Sequence, residues 1–499
     1  MSSHDLYLLS PEIGIVALAA LVIFVDLIGT KRERLTWVAA IGLVLPATCV
    51  FLLLGDLSAW WNVGGSGQNS GDSFQAVGGT VTIDQFGLYF KSLFIVTVGL
   101  VILSSGRYAE RFARYRAEYL ALLLIATAGM MLLASVQELI ALYVALELAT
   151  LPLVALAAFL GDSRSSEAGL KMLLLSALSS GLILYGMALI YGFLGTTELV
   201  AIGNEIVRGN DPFGGPVLLL ATVLVVAGLG FKIATVPFQM WIPDVYEGSP
   251  TPVTAFLSVA SKSAGFAVIL RVFLIAFAPL IQDWSILFAV LAAASMTIGN
   301  LAAIAQANIK RMLAYSTIAQ AGYIMVALAA FHGAGLQASI GTSALLFYLG
   351  GYTATNLTAF FAVIAITNQT DSETIADLGG LGRRAPFLAI ALAVGLISLT
   401  GLPPTVGFMG KLFVFSAAMQ SGMVWLVVVG LVNSVVSAYY YLRVVRTMYV
   451  GEGVVSTPVA ATATMKTALV LTGGIVMLLG VWPTLLLDIT DSAALTVLP

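Results

Sequence analysis

Long apolar runs, broken by short polar joints, account for most of the chain, and they are too long and continuous for the short alternating strands of a membrane barrel. A helix needs about 20 mostly apolar residues to cross a bilayer. Marking such runs predicts an all-α integral membrane protein of about fourteen transmembrane helices. They lie at roughly 11–29, 36–55, 84–105, 118–135, 138–160, 165–194, 215–243, 251–278, 283–306, 311–331, 338–367, 385–420, 422–449 and 463–487. Two of these spans are interrupted. Span 7 contains Lys232-Ile-Ala-Thr-Val-Pro237 and then Pro243, and span 12 contains Thr400-Gly-Leu-Pro403-Pro404-Thr-Val-Gly407. Proline removes a helical donor and collides with the preceding turn, and unwound backbone at membrane depth survives only inside protein or along a cavity. Aligning Gly228-Leu229 with Gly395-Leu396 sets Val236-Pro237 against Pro403-Pro404. Matched breaks in two halves point to an inverted-repeat transporter and its site. The Gly/Ser-rich stretch 62–80 reads as a flexible outer connection.

Composition agrees with the pattern. Of 499 residues, 60% are hydrophobic and 9% charged, with a mean hydropathy of +1.01; a soluble domain carries about a quarter charged residues. One polytopic domain over 1–499 therefore fits better than several soluble ones. The net charge of −3, without a basic tail, argues against nucleic acid. Cys49 is alone, which excludes an intramolecular disulfide and a Cys-rich metal or iron–sulfur site. His4 and His332 fall outside the predicted spans, so neither haem nor zinc is expected. No Gly-rich loop between strand and helix suggests a nucleotide. The first ten residues lack Lys and Arg, so a signal peptide is not expected and the first apolar run reads as a retained helix.

Charge placement then orients the bundle. Alternate loops hold Lys31, Arg32, Arg34, Arg107, Arg111, Arg114, Arg116, Arg164, Lys310, Arg311, Arg383, Arg384, Arg443, Arg446 and Lys466, whereas the opposite loops and both termini hold only Arg208. The positive-inside rule places both termini outside. Six basic residues remain within spans: Lys91, Lys171, Lys232, Lys262, Arg271 and Lys411, joined by Glu147 in span 5. A charge at mid-membrane costs about 2.5–3.5 kcal/mol even on the mildest scale, so such groups are functional candidates. A lysine taken out of water loses part of its preference for the charged form, and a proton relay requires that. A nearby ionised Glu147 would oppose the effect, so a changing Glu–Lys distance would change proton affinity. Lys232 lies at the first break, Lys262 midway along span 8 and Lys411 beyond the second break. The competing reading makes all three structural ion-pair partners. Lys171 is close enough to the inner side to snorkel to the interface. Lys91 and Arg271, in outer halves, read as structural. Asp84 is expected to cap span 3. Asp244 and Glu247 read either as proton collectors or as a solvated loop.

Five stretches carry a family resemblance: LYVALELATLPLVAL around Glu147, SSEAGLKMLLLSALSSG around Lys171, FKIATVPFQMWIPDVYEGSPTPVTAFLSVASK from Phe231 to Lys262, NIKRMLAYSTIAQAGY from Asn308 to Tyr323, and GLPPTVGFMGKLFVF from Gly401 to Phe415. In these the chain resembles the antiporter-like membrane subunits of respiratory complex I, and within them the subunit N group of NADH-quinone oxidoreductases. The resemblance implies fourteen helices with two inverted five-helix repeats, about 118–278 and 283–449, each with one broken helix (around Pro237 and around Pro403-Pro404). Spans 1–3 (11–105) would precede the repeats and the last span (463–487) follow them. It also implies that Glu147 and Lys232 form a charge pair, that Lys262 is the central relay, that Lys411 leads to the outer exit, and that Lys171 is the additional lysine of subunit N. Relatives often have His where this chain has Gln239; a Gln cannot titrate, so water or Lys262 would bridge that step. NADH, FMN, iron–sulfur clusters and quinone would belong to partner subunits, with no cofactor or metal in this chain. Its partners would be lipid and neighbouring membrane subunits, and its location a bacterial-type inner (plasma) membrane. A subunit of an Mrp-type cation/proton antiporter without a redox partner is the alternative; copurifying subunits and electron input from NADH separate the two.

Overall fold

A computed structural model of the chain describes residues 2–29, 32–63, 73–209, 215–331, 336–451 and 460–497. Lys31, His332 and residues 64–72 of the Gly/Ser-rich stretch lie outside the described residues. Thirteen helices among those described are long and apolar enough to cross a membrane. Two shorter apolar helices, Pro386–Thr400 and Val406–Gln420, stand where the sequence places the interrupted span 12. Every peptide group in lipid needs an internal partner, so apolar runs of this length fold as helices. Polar side chains at their starts cap the unpaired first-turn amides. Asp84 accepts from the Gly87 amide at 2.7 Å, Glu138 from Ala141 at 2.8 Å, and Asp162 from Ser165 at 2.7 Å.

The helices differ sharply in where they sit. Thr251–Ala276 (span 8), Ile309–Ala329 (span 10) and Ser339–Thr370 (span 11) are each 94% buried over their apolar windows and form the centre. Glu33–Leu57 and Ala463–Val481 are 28% buried and form part of the rim. Small residues let neighbours close up, as is usual between membrane helices. A Cβ on Gly129 of span 4 would stand 2.4 Å from the Ala149 amide of span 5, and one on Gly299 of span 9 would stand 2.7 Å from the Ala319 amide of span 10.

Other features recur between the two halves. Arg271 near the end of span 8 donates to the Ala134 carbonyl at the end of span 4 (3.0 Å), and Arg443 of span 13 donates to the Ile304 and Gln306 carbonyls at the end of span 9 (2.9 and 2.7 Å). An antiparallel bridge joins Glu138 to Glu198 in the first half and Asn308 to Thr374 in the second. Both interrupted spans end their first segment on a left-handed residue, Ala234 at φ +67° and Gly401 at φ +86°. The peptide bonds Val236-Pro237 and Pro403-Pro404 are both cis.

Some local structure differs from expectation. The described end of the 62–80 stretch is not irregular: Phe74–Ala76 pairs antiparallel with Val81–Ile83. Val77, Gly78 and Gly79 make the turn with positive φ, and Val81, Thr82 and Ile83 are all buried, which ties the hairpin down. Span 7 stops at Ile233 and resumes as a separate helix, Trp241–Gly248. Span 14 stops at Val481, and Pro483 precedes a further helix, Thr484–Leu495.

Candidate functional site

Lys232 occupies the last turn of Pro216–Ile233 and is 5% exposed. The end of a helix carries unpaired carbonyls and favours a cation. Its ammonium donates to the Thr150 hydroxyl of span 5 at 2.7 Å. Glu147 lies one turn earlier on span 5, half-buried, and accepts from the Ser180 hydroxyl of span 6 at 2.5 Å. Thr150 therefore joins spans 5 and 7, and Lys232 reaches the face of span 5 that also carries Glu147. A Cβ on Gly265 of span 8 would sit 3.2 Å from Cγ of Lys232, which brings the first break against the helix that carries Lys262.

Lys262 is 2% exposed and follows a π-helical turn, Leu257–Ser261. Such turns displace carbonyls from the regular ladder and recur at functional sites. Its ammonium donates to the Thr317 carbonyl of span 10. Beyond it lie two hydrogen-bonded polar groups of the second half. The Thr317 hydroxyl meets the Tyr352 hydroxyl at 3.1 Å, the Tyr348 hydroxyl donates to Gln320 Oε1 at 2.6 Å, and Gln320 Nε2 donates to the Leu399 carbonyl at 2.9 Å, just before the second break.

Lys411, 5% exposed, closes the row. It donates to the Thr400 carbonyl at 2.7 Å and to the Ser434 hydroxyl at 2.9 Å, and lies 4.3 Å from the centre of the Tyr323 ring. Thr400 is the last residue of Pro386–Thr400, so its carbonyl is one that the break leaves free. A half-helix end of this kind coordinates cations in transporters.

Other cations, some buried and some near the surface, are paired with carboxylates. Lys91 meets Glu12 at 2.7 Å, joining spans 3 and 1. Arg271 grips Asp84 with two bonds of 2.6 Å, so Asp84 both caps span 3 and neutralises the arginine. Lys171 lies away from the central row, 40% exposed at its side chain, and pairs with Glu167 (2.7 Å) and Asp244 (2.6 Å). Arg311 bridges Asp244 and Glu247 at 2.8 and 2.7 Å, and Arg164 bridges Glu247 and Glu373 at 2.7 and 3.0 Å. Asp244 and Glu247 thus belong to an ion-pair network on the face that carries the basic loops. Sequence reasoning missed Glu12, Thr150, Gln320, Tyr348 and Tyr352. The last two had a signal, since tyrosines four apart on a helix share a face. Gln239 has an amide oxygen without a partner. Among the described residues, no three His, Cys, Asp or Glu side chains cluster as a metal site.

A multi-span helical bundle with two broken helices and deep lysines defines an antiporter-like membrane subunit. A family model described as NADH:quinone oxidoreductase/Mrp antiporter, TM, matches residues 136–437. The NADH-quinone oxidoreductase subunit N of Dehalococcoides mccartyi is 43% identical over 496 residues, covering 98% of this chain and 99% of that protein. The subunit N of Moorella thermoacetica is 45% identical, covering 84% and 86%. Among solved structures, a chain of respiratory complex I from Thermus thermophilus is 33% identical with a TM-score of 0.75, covering 96% of this chain and 98% of that one. A chain of the Mrp complex from Dietzia is 23% identical with a TM-score of 0.80, covering 99% and 97%, which is a likeness of fold. The chain belongs to the subunit N family of NADH-quinone oxidoreductase, a complex I enzyme.

Proposed function

We propose that the subunit carries protons across the membrane through Glu147, Lys232, Lys262 and Lys411, driven by electron transfer that partner subunits perform with NADH, FMN, iron–sulfur clusters and quinone. One observation carries this reading: these three deep lysines make no carboxylate ion pair among the described residues, and each ends on a hydroxyl or a carbonyl. Lys91 and Arg271, equally buried, are locked by Glu12 and Asp84. A cation paired in low dielectric keeps its charge, whereas one held only by neutral oxygens can release a proton. Lys171 acts at the edge of the row, where Asp244 links it to the segment after the first break.

The two halves, about 118–278 and 283–449, act as inverted repeats. The paired arginine caps, bridges, glycine contacts and left-handed break residues support this. Counting Pro386–Thr400 with Val406–Gln420 as one crossing gives fourteen, which leaves both termini on one side. The basic loops make the opposite face cytoplasmic, in a bacterial-type inner membrane. Exit runs outward past Lys411, and neighbouring membrane subunits pack end to end against this one. The Mrp-type alternative rests on likeness of fold, whereas whole-chain identity favours subunit N.

Lys232→Ala and Glu147→Ala test the reading. Both are expected to assemble and to lose most coupled quinone reduction and proton pumping in native-like membranes. Near-normal rates in either mutant would remove that residue from the pathway.

A further inference from the structure

On the basic face, a cavity of about 500 Å³ lies where the start of span 2, the end of span 3, the first residue of span 4 and the start of span 14 meet. Cavities of roughly 300–1,000 Å³ hold small ligands. Spans 2 and 14 belong to the rim, so this cavity stands at the lipid edge of the bundle. Glu147, Lys232, Lys262 and Lys411 take no part in its wall. Glu33 and Trp37 are one turn apart on span 2 and share a face. Trp37 is 52% exposed, and tryptophans gather at the level of lipid headgroups.

Four charged side chains line the cavity, Arg107 and Arg116 with Glu33 and Glu110, so both signs are present in equal number. Arg116 is buried and donates to the Gly106 carbonyl at 2.9 Å, which fixes its guanidinium in the wall. Elsewhere on the basic face Arg111, Arg164 and Arg311 are each held by a carboxylate. Glu33, Arg107 and Glu110 are exposed and make no ion pair among the described residues. Opposite charges that share a cavity without pairing can each meet an incoming group. An apolar strip leads to them. Val96, Leu100, Leu103 and Arg107 are spaced by four, three and four residues, and the backbone stays helical through Gly106 and Arg107. They share one face of span 3. Val96 is exposed and Leu100 and Leu103 partly so, and Leu103 lines the cavity.

We propose that this cavity binds the headgroup of a zwitterionic phospholipid with a primary amine, of the phosphatidylethanolamine class. The phosphate sits between Arg107 and Arg116, the ammonium donates to Glu33 and Glu110, and an acyl chain lies along Val96, Leu100 and Leu103. Guanidinium groups take phosphate oxygens in pairs, and basic pockets between membrane helices bind phospholipid headgroups. A primary ammonium brings three donors to the carboxylates. A quaternary ammonium brings none. An anionic phospholipid would set its phosphate beside two carboxylates without a positive group to answer them, and juxtaposed like charges reject a partner.

The test reconstitutes the whole complex in vesicles with a trace of phosphatidylethanolamine that carries a photoactivatable acyl chain, and maps the labelled peptides by mass spectrometry. Label is expected on the peptide that carries Val96 to Arg107. Unlabelled phosphatidylethanolamine should displace it about tenfold better than phosphatidylcholine or phosphatidylglycerol, a difference of about 1.4 kcal/mol. Soluble phosphoethanolamine, which lacks the chains, should displace little. Arg107→Gln should lower labelling about tenfold, whereas Arg107→Lys, which keeps the charge, should retain most of it. Glu33→Gln with Glu110→Gln leaves two arginines alone and should turn the preference toward phosphatidylglycerol. Should a variant not assemble, the competition series on the unaltered complex decides. Equal displacement by the three lipids, stronger displacement by phosphatidylglycerol, or unchanged labelling in Arg107→Gln overturns the proposal. Displacement by soluble phosphoethanolamine as strong as by the lipid would make the ligand a solute and overturn it as well.

Discussion

Gly401→Ala isolates the geometry at the outer end of the row. Gly401 has φ +86°, and an added Cβ would lie 2.7 Å from Cδ of Lys411 and 3.3 Å from its Cε and Nζ. Left-handed backbone costs an L-residue about 1–2 kcal/mol. Relieving the clash would move the lysine stem by roughly 1 Å, and a shift of that size can cost on the order of 10²-fold in rate. The ammonium holds the Thr400 carbonyl at 2.7 Å and Ser434 at 2.9 Å, so neither bond survives such a shift unchanged. Gly422→Ala is the matched control: φ is +76°, but nothing lies within 4 Å of its added Cβ. Both variants should lose similar stability in thermal unfolding of the purified complex. Only Gly401→Ala should lose most pumping and coupled quinone reduction. Equal activity in the two variants would show that the position of Lys411 does not matter, and would refute the reasoning.

Two further outcomes follow from the paired charges. Arg271→Met leaves Asp84 buried and unpaired, which costs about 3–5 kcal/mol; the yield of assembled complex should fall and Arg271→Met with Asp84→Leu should recover part of it, short of the lost helix cap. Burial would raise the Glu373 carboxyl, but Lys310, Asn308 and Arg164 together hold it below its ordinary value. Its stabilisation is therefore present above the unfolded pKa and lost as pH falls through the folded one. Glu373→Gln should lower the unfolding temperature at neutral pH and converge with wild type at acid pH; a constant difference at every pH would count against the pairing.

The spans, the two breaks and the deep lysines were legible because each depends on local pattern: an apolar run, a proline, a charge within either. Which cation finds a carboxylate was not. Lys91 and Glu12 lie on different spans, and nothing near either residue announces the other. The partner of Lys171 was hidden as well, since it is the break in span 7 that brings Asp244 within 2.6 Å. Lys232 reaches the face of span 5 that carries Glu147, but Thr150 takes the lysine's bond. A hydroxyl one turn away is invisible to charge pattern alone. The hairpin at Phe74–Ala76 and Val81–Ile83 was hidden inside a Gly/Ser-rich stretch whose composition suggests a flexible coil.

Lys411 separates a proton carrier from a fixed charge. It makes no carboxylate ion pair among the described residues and rests on a freed carbonyl and a hydroxyl. Arginine keeps the positive charge but cannot be deprotonated in a protein. Proton pumping should therefore be measured in sealed vesicles carrying the complex with Lys411→Arg, after matching for assembled protein. Assembly at the normal level with pumping lost is the expected result, and Lys411→Glu, which can titrate, should keep part of it. Pumping at the wild-type rate in the arginine variant would mean that no proton passes through Lys411.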